Sequence, residues 1–427
     1  MATSAISQTE DLTALSRIVD SELRKYLGSL KASGQNPPSL RAEEPQGIVL
    51  DSATEGSKRD IIRACEKIIA LVHTPFERVF IETAGYVYST VSSVVVELKL
   101  PHLISSDPKK PTHLDELAEA AGASPELLGR LLRVLTQRLI FEEVAPGQYI
   151  HNAASKTLLI PGVEAWVGLS TEDLLQASGS LMPLLKENGY QIPHDTSKNA
   201  ANQTTGNVNQ FEHYALSDDR HGKRAALSMT AFTSTSMFNN LPYPFQDLPE
   251  GSIVVDIGGG GGHMSAHLSR QHNHLKFIVQ DTGTALAYGK SRHEHHKLPI
   301  EHHEHSLFEP QRVQGAAVYL VRHVLHGFPD DTAAKVLSMI AQGGMDRNSR
   351  ILIVDTVVPE LYGADSVAFV NLTDIMSLLG GNGKHRTEAE WKKIVEKADG
   401  RLEVVKVWMV EENVASPDAV IEIRLKA

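Results

Sequence analysis

The chain of 427 residues contains one cysteine, Cys65. That excludes an intramolecular disulfide and a thiolate-based metal centre, and it fits a reducing compartment. No run of eighteen consecutive apolar residues occurs, and the opening residues mix Asp, Glu and Arg without an apolar core. The expectation is a cytoplasmic protein with no secretory leader and no membrane partner. An excess of positive charge is missing as well. Lys and Arg number 41 against 52 Asp and Glu, for a formal net charge of −11, which argues against a nucleic-acid partner. No Lys-Ser/Thr pair follows the glycine cluster, so a Walker-type phosphate loop is excluded. What remains is the composition of an ordinary globular protein, 41% hydrophobic and 22% charged, long enough for two or three domains.

The most distinctive stretch is Val254-Val255-Asp256-Ile257 followed by five glycines, Gly258 to Gly262, and His263. Glycine permits positive φ and close approach to a ligand, and a strand, glycine loop and helix in succession form the usual nucleotide cradle of an α/β domain. A dinucleotide fingerprint would require its third glycine at position 263, where His263 stands. Downstream, apolar strands at Ser252–Ile257, Lys276–Gln280, Ala316–Leu320 and Arg350–Asp355 alternate with helical segments at Met264–Gln271, Asp330–Ala341, Ser366–Leu379 and Thr387–Ala398. Leu402–Met409 and Ala419–Lys426 read as two closing antiparallel strands. The alternation predicts a mainly parallel sheet with helices on both faces. In such sheets ligands bind beyond the carboxyl ends of the strands. Asp281, 23 residues after Gly258, is thereby placed to accept from a ribose hydroxyl.

Upstream the pattern is helical. Helices are predicted over 11–30 and 58–72, with a polar stretch between them to about 57, and apolar patterning runs from Phe80 to Leu100. Thr112 with Asp115 reads as a capping box for a helix to Ala121, and Ser124 caps a second one over Pro125–Arg138. Phe141–Ile150, centred on Pro146-Gly147, completes a winged-helix segment. Between 107 and 150 it carries five Lys/Arg against seven Asp/Glu, so a structural role is expected, not groove binding. Trp166–Leu185 is helical, Asp195–Asn209 a polar surface loop, and Phe211–Phe238 helical again. The division reads as a helical extension over 1–57, a helical dimerisation and winged-helix domain over 58–160, a helical pocket linker over 161–245, and the glycine-loop domain over 246–427.

Two motifs narrow the function. The acidic-x-Gly-x-Gly-x-Gly loop resembles the first motif of class I methyltransferases. Arg322-His323-Val324-Leu325-His326-Gly327-Phe328-Pro329-Asp330-Asp331 resembles the Arg/Lys-x-x-Leu-His-Asp-Trp-x-Asp-Asp/Glu stretch of caffeate-type plant and fungal O-methyltransferases. The resemblance covers most of the chain and implies a Rossmann-like α/β methyltransferase domain behind a helical dimerisation region, a homodimer, and S-adenosyl-L-methionine as cofactor. It implies that Asp256, Gly258, Gly259, Gly260, Asp281, Ser306, Leu307 and Arg322 surround the cofactor. His326 would be the general base, with Asp355 and His385 beside it. A phenol of pKa about 10 is mostly protonated at neutral pH, and a histidine of pKa near ~6.5 can take its proton. The implied substrate is a small molecule, an aromatic or polyketide-like secondary metabolite with a phenolic or enolic hydroxyl.

The chain departs from that family pattern at three places. Gly383-Lys384-His385-Arg386-Thr387 has His where Glu is expected, Ser306 replaces an acid near the adenine, and Gly327-Phe328 replaces Asp-Trp. A charged His385 would oppose an imidazolium where a carboxylate stabilises it. The alternative reading is a methyltransferase-like pericyclase, forming rings by dehydration or pericyclic chemistry with the cofactor retained. His151, Met229, Phe232 and Met376 are candidate substrate-pocket residues. His323 is expected to be structural. The histidine-rich stretches at 293–296 and 301–305 lack the spacing of a metal-binding helix and read as solvated surface, with no metal.

Overall fold

The computed structural model describes residues 11–41, 51–204, 220–234, 241–283, 286–287, 289–291, 298–358, 368–409 and 418–426. Two compact units emerge, the first ending at Glu172 and the second beginning at Asp173. The expected boundary at 57/58 does not exist, because it falls inside a helix.

In the first unit, α1 (Leu12–Ala32) and α2 (Ser52–Val72) pack together around the fully buried Leu15 and Ala64. Helix α2 starts a turn and a half earlier than the apolar pattern predicts. Asp51 caps it by accepting from the Thr54 amide at 2.8 Å. The polar residues of that first stretch are buried against α1, where Thr54 bonds Ser29 at 2.5 Å and Ser57 bonds Glu22 at 2.9 Å. Helices α3 (Pro75–Thr83) and α4 (Tyr86–Glu97) follow, the first closed by a Thr74/Glu77 capping box. They present exposed apolar side chains, with Phe76 76% and Phe80 61% accessible.

After α5 (Leu100–Leu103) come β1 (Thr112–His113), α6 (Leu114–Ala121), α7 (Pro125–Gln137), β2 (Glu142–Ala145) and β3 (Gln148–Ile150). The three strands form an antiparallel sheet in the order β1-β3-β2. The capping box of α6 is His113 with Glu116, not Thr112 with Asp115, because Thr112 pairs with Tyr149 in β1 and its hydroxyl accepts from the Ser105 amide. Val91, Val95, Leu117, Leu128, Leu132 and Phe141 form the core of this unit. Two short helices, α8 (Ala153–Lys156) and α9 (Pro161–Gly168), complete it.

The second unit opens with α10 (Leu175–Glu187) and α11 (Arg220–Ser234). Residues 199–202 are buried here, against the expectation of a surface loop. The Asn199 side chain donates to the Thr196 carbonyl and accepts from the Asn202 amide, so the polar side chains satisfy the backbone they bury. Residues 205–209 of that loop, and the ends of the helix predicted over Phe211–Phe238, lie outside the described residues.

A seven-stranded sheet in the order β6-β5-β4-β7-β8-β10-β9 forms the body of this unit. Its members are β4 (Ile253–Ile257), β5 (Lys276–Asp281), β6 (Ile300–Glu304), β7 (Val318–Arg322), β8 (Arg350–Thr356), β9 (Leu402–Met409) and β10 (Asp418–Leu425). The first five pair in parallel; β10 runs antiparallel to both β8 and β9, as the two closing strands predict. The pairing stacks β-branched residues such as Val254, Val255, Ile351 and Ile353 into fully buried rows. Helices α12 (His263–Gln271), α13 (Asp330–Gly343), α14 (Ala368–Gly381) and α15 (Glu388–Ala398) alternate with the strands. Of the stretch Glu301–His305, expected as solvated surface, Glu301–Glu304 make up most of edge strand β6, with Glu301 and His303 exposed and paired at 3.1 Å, whereas His305 is buried. The other histidine cluster, 293–296, lies outside the described residues.

Candidate active site

The carboxyl ends of β4, β5, β7 and β8 carry the residues that the sequence singles out. After β4 the chain turns through Gly258, Gly260 and Gly262, all at positive φ. Gly259 has no alternative, since a Cβ there would lie 2.7 Å from the Asp256 carboxyl carbon. Asp256 sits beneath this loop, 2% exposed, and accepts from the Ser265 hydroxyl at 2.7 Å, tying the loop to α12. Burial pushes its pKa up to about 6, against the opposing pull of Ser265 and Arg322. Asp281, ending β5, accepts from the Gly260 amide at 2.6 Å and from the Thr282 amide at 2.7 Å. A Cβ at Gly260 would meet nothing within 4 Å, so the loop faces open space beside an acid. That combination fits the ribose of a bound nucleoside. Ser306 and Leu307 follow the end of β6. The Ser306 hydroxyl accepts from the Phe308 amide at 3.3 Å, and Leu307 packs against the central core.

Beyond β7, His326 lies on a single 3₁₀ turn at Leu325–Gly327. Its Nδ1 donates to Asp355 Oδ1 at 3.0 Å, and its backbone amide donates to Oδ2 of the same carboxylate at 3.2 Å. Asp355, 1% exposed, also accepts from the Thr356 amide at 2.9 Å. Burial disfavours its charge, but His326 and the hydrogen bond between them outweigh that and hold the carboxyl well below the usual carboxylate range. With Nδ1 committed as donor to a carboxylate, the lone pair of the neutral ring resides on Nε2. Burial lowers the pKa of His326, yet Asp355, with Asp418 behind it, raises it more.

His385 stands edge-on to His326, with ring centroids 5.6 Å apart and planes at 79°. It is 5% exposed, and burial followed by the charge of His326 lowers its pKa. His385 therefore stays neutral near pH 7. It does not place a second positive charge on the centre, and it supplies no negative one.

Sequence reasoning missed the clamp around His326. Arg386, fully buried, donates to the Leu325 carbonyl at 2.9 Å and the Phe328 carbonyl at 2.6 Å, pairs with Asp330 at 3.0 Å, and stacks over Trp391. Gly383 packs so closely that a Cβ would lie 2.0 Å from the His326 carbonyl oxygen. Phe328, in the place of the expected Trp, packs edge-on against Phe308 at 5.8 Å. Arg322 links the two halves of the site. Burial disfavours its charge, while Asp418, Asp256 and Asp355 favour it.

The structure corrects one pocket candidate. His151 is 3% exposed, and both ring nitrogens are engaged, Nε2 with the Pro101 carbonyl at 2.7 Å and Nδ1 with Ser155 at 3.0 Å. It is structural in the first unit, with neither nitrogen available to a substrate. Met229 is 45% exposed on α11 and Met376 is half-buried on α14. The Phe232 side chain lies outside the described residues.

Residues 182–400 match the O-methyltransferase domain, and residues 82–161 match the O-methyltransferase dimerisation domain. The chain belongs to the O-methyltransferase family. Among its relatives, O-methyltransferase xanE of Aspergillus fumigatus is 33% identical over 98% of this chain and 98% of its own length. Sterigmatocystin 8-O-methyltransferase of Aspergillus parasiticus is 33% identical over 99% of this chain and all of its own. Among solved structures, LepI in complex with SAM is similar with a TM-score of 0.75 and 26% identity, covering 87% of this chain and 94% of that one. A protein described as a pericyclic reaction enzyme shares the fold, with a TM-score of 0.77 at 23% identity over 96% of this chain and all of that one. This O-methyltransferase therefore uses S-adenosylmethionine, and its carboxyl-edge loop is the part of the fold suited to hold it.

Proposed function

We propose that this enzyme methylates a phenolic or enolic hydroxyl of an aromatic, polyketide-like metabolite, with His326 as general base. The observation that carries the reading is the His326–Asp355 pair on the same sheet edge as the glycine loop. S-adenosylmethionine supplies an electrophilic methyl group on a sulfonium when bound. His326 Nε2 takes the hydroxyl proton as the new O–CH₃ bond forms and the S–CH₃ bond breaks. Asp355 stabilises the resulting imidazolium through Nδ1, and Arg386 with Gly383 keeps the turn from shifting. Asp281 and the glycine-loop backbone would hold the nucleoside, with Ser306 and Leu307 beside the base. The names of the relatives, one of them a sterigmatocystin 8-O-methyltransferase, support a polycyclic phenol as substrate.

The test is methyl transfer from cofactor labelled in the methyl group to a panel of polyketide phenols. Labelled product that disappears in His326→Ala supports the reading. A rearranged substrate skeleton with the cofactor label untouched would sink it in favour of a ring-forming enzyme, the reading favoured by the absence of a carboxylate at position 385. The exposed apolar residues of α2, α3 and α4 support a homodimer, as does the dimerisation domain itself. Nucleic acid and membrane form no part of the reading.

A further inference from the structure

An imidazolium forming at His326 is hydrogen-bonded to one carboxylate, Asp355, and His385, edge-on beside it, offers no carboxylate. A second buried acid nevertheless reaches this edge of the sheet. Strand β10 lies antiparallel to β8 with Asp418 opposite Thr356 and Ala419 opposite Asp355. The register therefore brings Asp418 to the end of β8 from 95 residues beyond His323. Asp418 is 3% exposed and is hydrogen-bonded to His323 Nε2 at 2.8 Å. The His323 ring lies 5.8 Å from the His326 ring, with planes at 70°.

The backbone of His323 is in the left-handed region, with φ 51. That conformation is uncommon for a residue with a side chain and persists where the surroundings hold it. Here the His323 amide donates to the Val354 carbonyl at 2.9 Å, and the ring is held by Asp418. The strained residue thus sits between β7 and the turn of His326 in the chain, with its ring bonded to the acid and edge-on to the base.

We propose that Asp418, held through His323, is the second carboxylate of this centre, a positioning residue that keeps His326 basic in place of the acid that position 385 lacks. The inference rests on His326 being the base. Among the described residues, the charged and titratable groups around His326 are Asp355, Asp418, His323, His385 and Arg386, the last paired with Asp330; Arg322 lies within the field of Asp418, and Asp374 on α14 accepts from the His385 amide at 2.7 Å. Among these Asp355 and Asp418 favour the imidazolium, Asp355 more strongly because it is hydrogen-bonded to the ring.

The test reads the protonation of His326 directly, by NMR titration of histidine ring carbons in cofactor-free protein, alongside the acid limb of kcat/KM. Asp418→Asn is expected to lower the His326 pKa and to move the acid limb down by about one pH unit, the size of a single charge effect at close range. Asp418→Glu should restore both. Adding His385→Glu to Asp418→Asn should restore them as well, because the lost charge returns from the other side. The inference is overturned if the His326 titration stays in place in Asp418→Asn, or if neither second carboxylate moves it back. Should Asp418→Asn fail to fold, Asp418→Ser, which keeps a hydrogen-bonding group for His323 without the charge, takes its place; the same fall in the His326 pKa is expected, and an unmoved titration overturns the inference. Absence of methyl transfer by the native enzyme would instead defeat the methyltransferase reading and leave these titrations interpretable.

Discussion

His326 gives both its ring and its backbone to Asp355. Nδ1 donates to one carboxylate oxygen at 3.0 Å, and the amide of the same residue donates to the other at 3.2 Å. The carboxylate thereby fixes tautomer, ring orientation and backbone position together. Asp355→Asn keeps the size but loses the charge, and its amide group can present a donor to Nδ1. The expected result is a fall in kcat of about 10²-fold or more with cofactor affinity nearly unchanged. Steady-state kinetics with calorimetric titration of S-adenosylmethionine checks both halves.

The pH profile follows from the direction of the His326 shift. A base must be unprotonated to act, and the two aspartates raise the pKa of His326 above its ordinary value. Activity should therefore rise with pH through a limb above ~6.5, and be lost as pH falls through it. A limb well below that value in kcat/KM would contradict the electrostatics described here.

Gly383→Ala tests the turn without touching a titratable group. The new Cβ would fall 2.0 Å from the His326 carbonyl oxygen, so the two backbones must separate. Overpacking of this kind costs about 1–3 kcal/mol. Displacement of the base should lower kcat about tenfold or more, because reacting groups tolerate little misplacement. Thermal unfolding and kcat should fall together.

Asp256 carries an opposite expectation for stability. Its folded pKa, pushed up to about 6, lies above the unfolded value, so the native state favours its neutral form. The cost of keeping it charged accumulates as pH rises from about 4 and is complete above the folded pKa. Asp256→Asn, which can still accept from Ser265, should raise the Tm of the cofactor-free protein at pH 7.5. That gain should vanish as pH drops towards 4. Weaker cofactor binding is expected alongside it, since the loop is built over this carboxylate.

The apolar residues around Phe76 and Phe80 should be covered in solution by a second copy. Phe76→Asp with Phe80→Asp is expected to give a monomer by light scattering while leaving the helical circular dichroism in place. An unchanged dimer mass would show that these side chains lie outside the contact.

The sequence announced the parallel strands because buried strands need unbroken apolar runs, and β4, β7 and β8 have them. It concealed β6, whose Glu301-His302-His303-Glu304 lacks an apolar alternation because an edge strand can leave both faces polar. The start of α2 was hidden for a similar reason: Thr54 and Ser57 look like linker residues until Ser29 and Glu22 of α1 meet them. At the site, Asp281 was legible because it ends a strand downstream of the glycine loop, and Arg322, His326 and Asp355 because the segments they lie in resemble a known family's motifs. Asp418, His323 and Arg386 were not. Their partners lie 95 residues away for the first pair and 61 residues away for the Arg386–Leu325 contact, and local pattern does not register such distances.

Gly383 and Arg386 hold the turn of His326 by backbone proximity and by carbonyl contacts, and His385 lies between them. The fastening and the tuning of the base are thus interleaved in one short segment but assigned to different residues. Replacing the side chain at 385 leaves both fasteners in place, so the electrostatic character of the centre can be rewritten there while its backbone stays still. That makes position 385 a natural point for exchanging one reaction for another within the same scaffold.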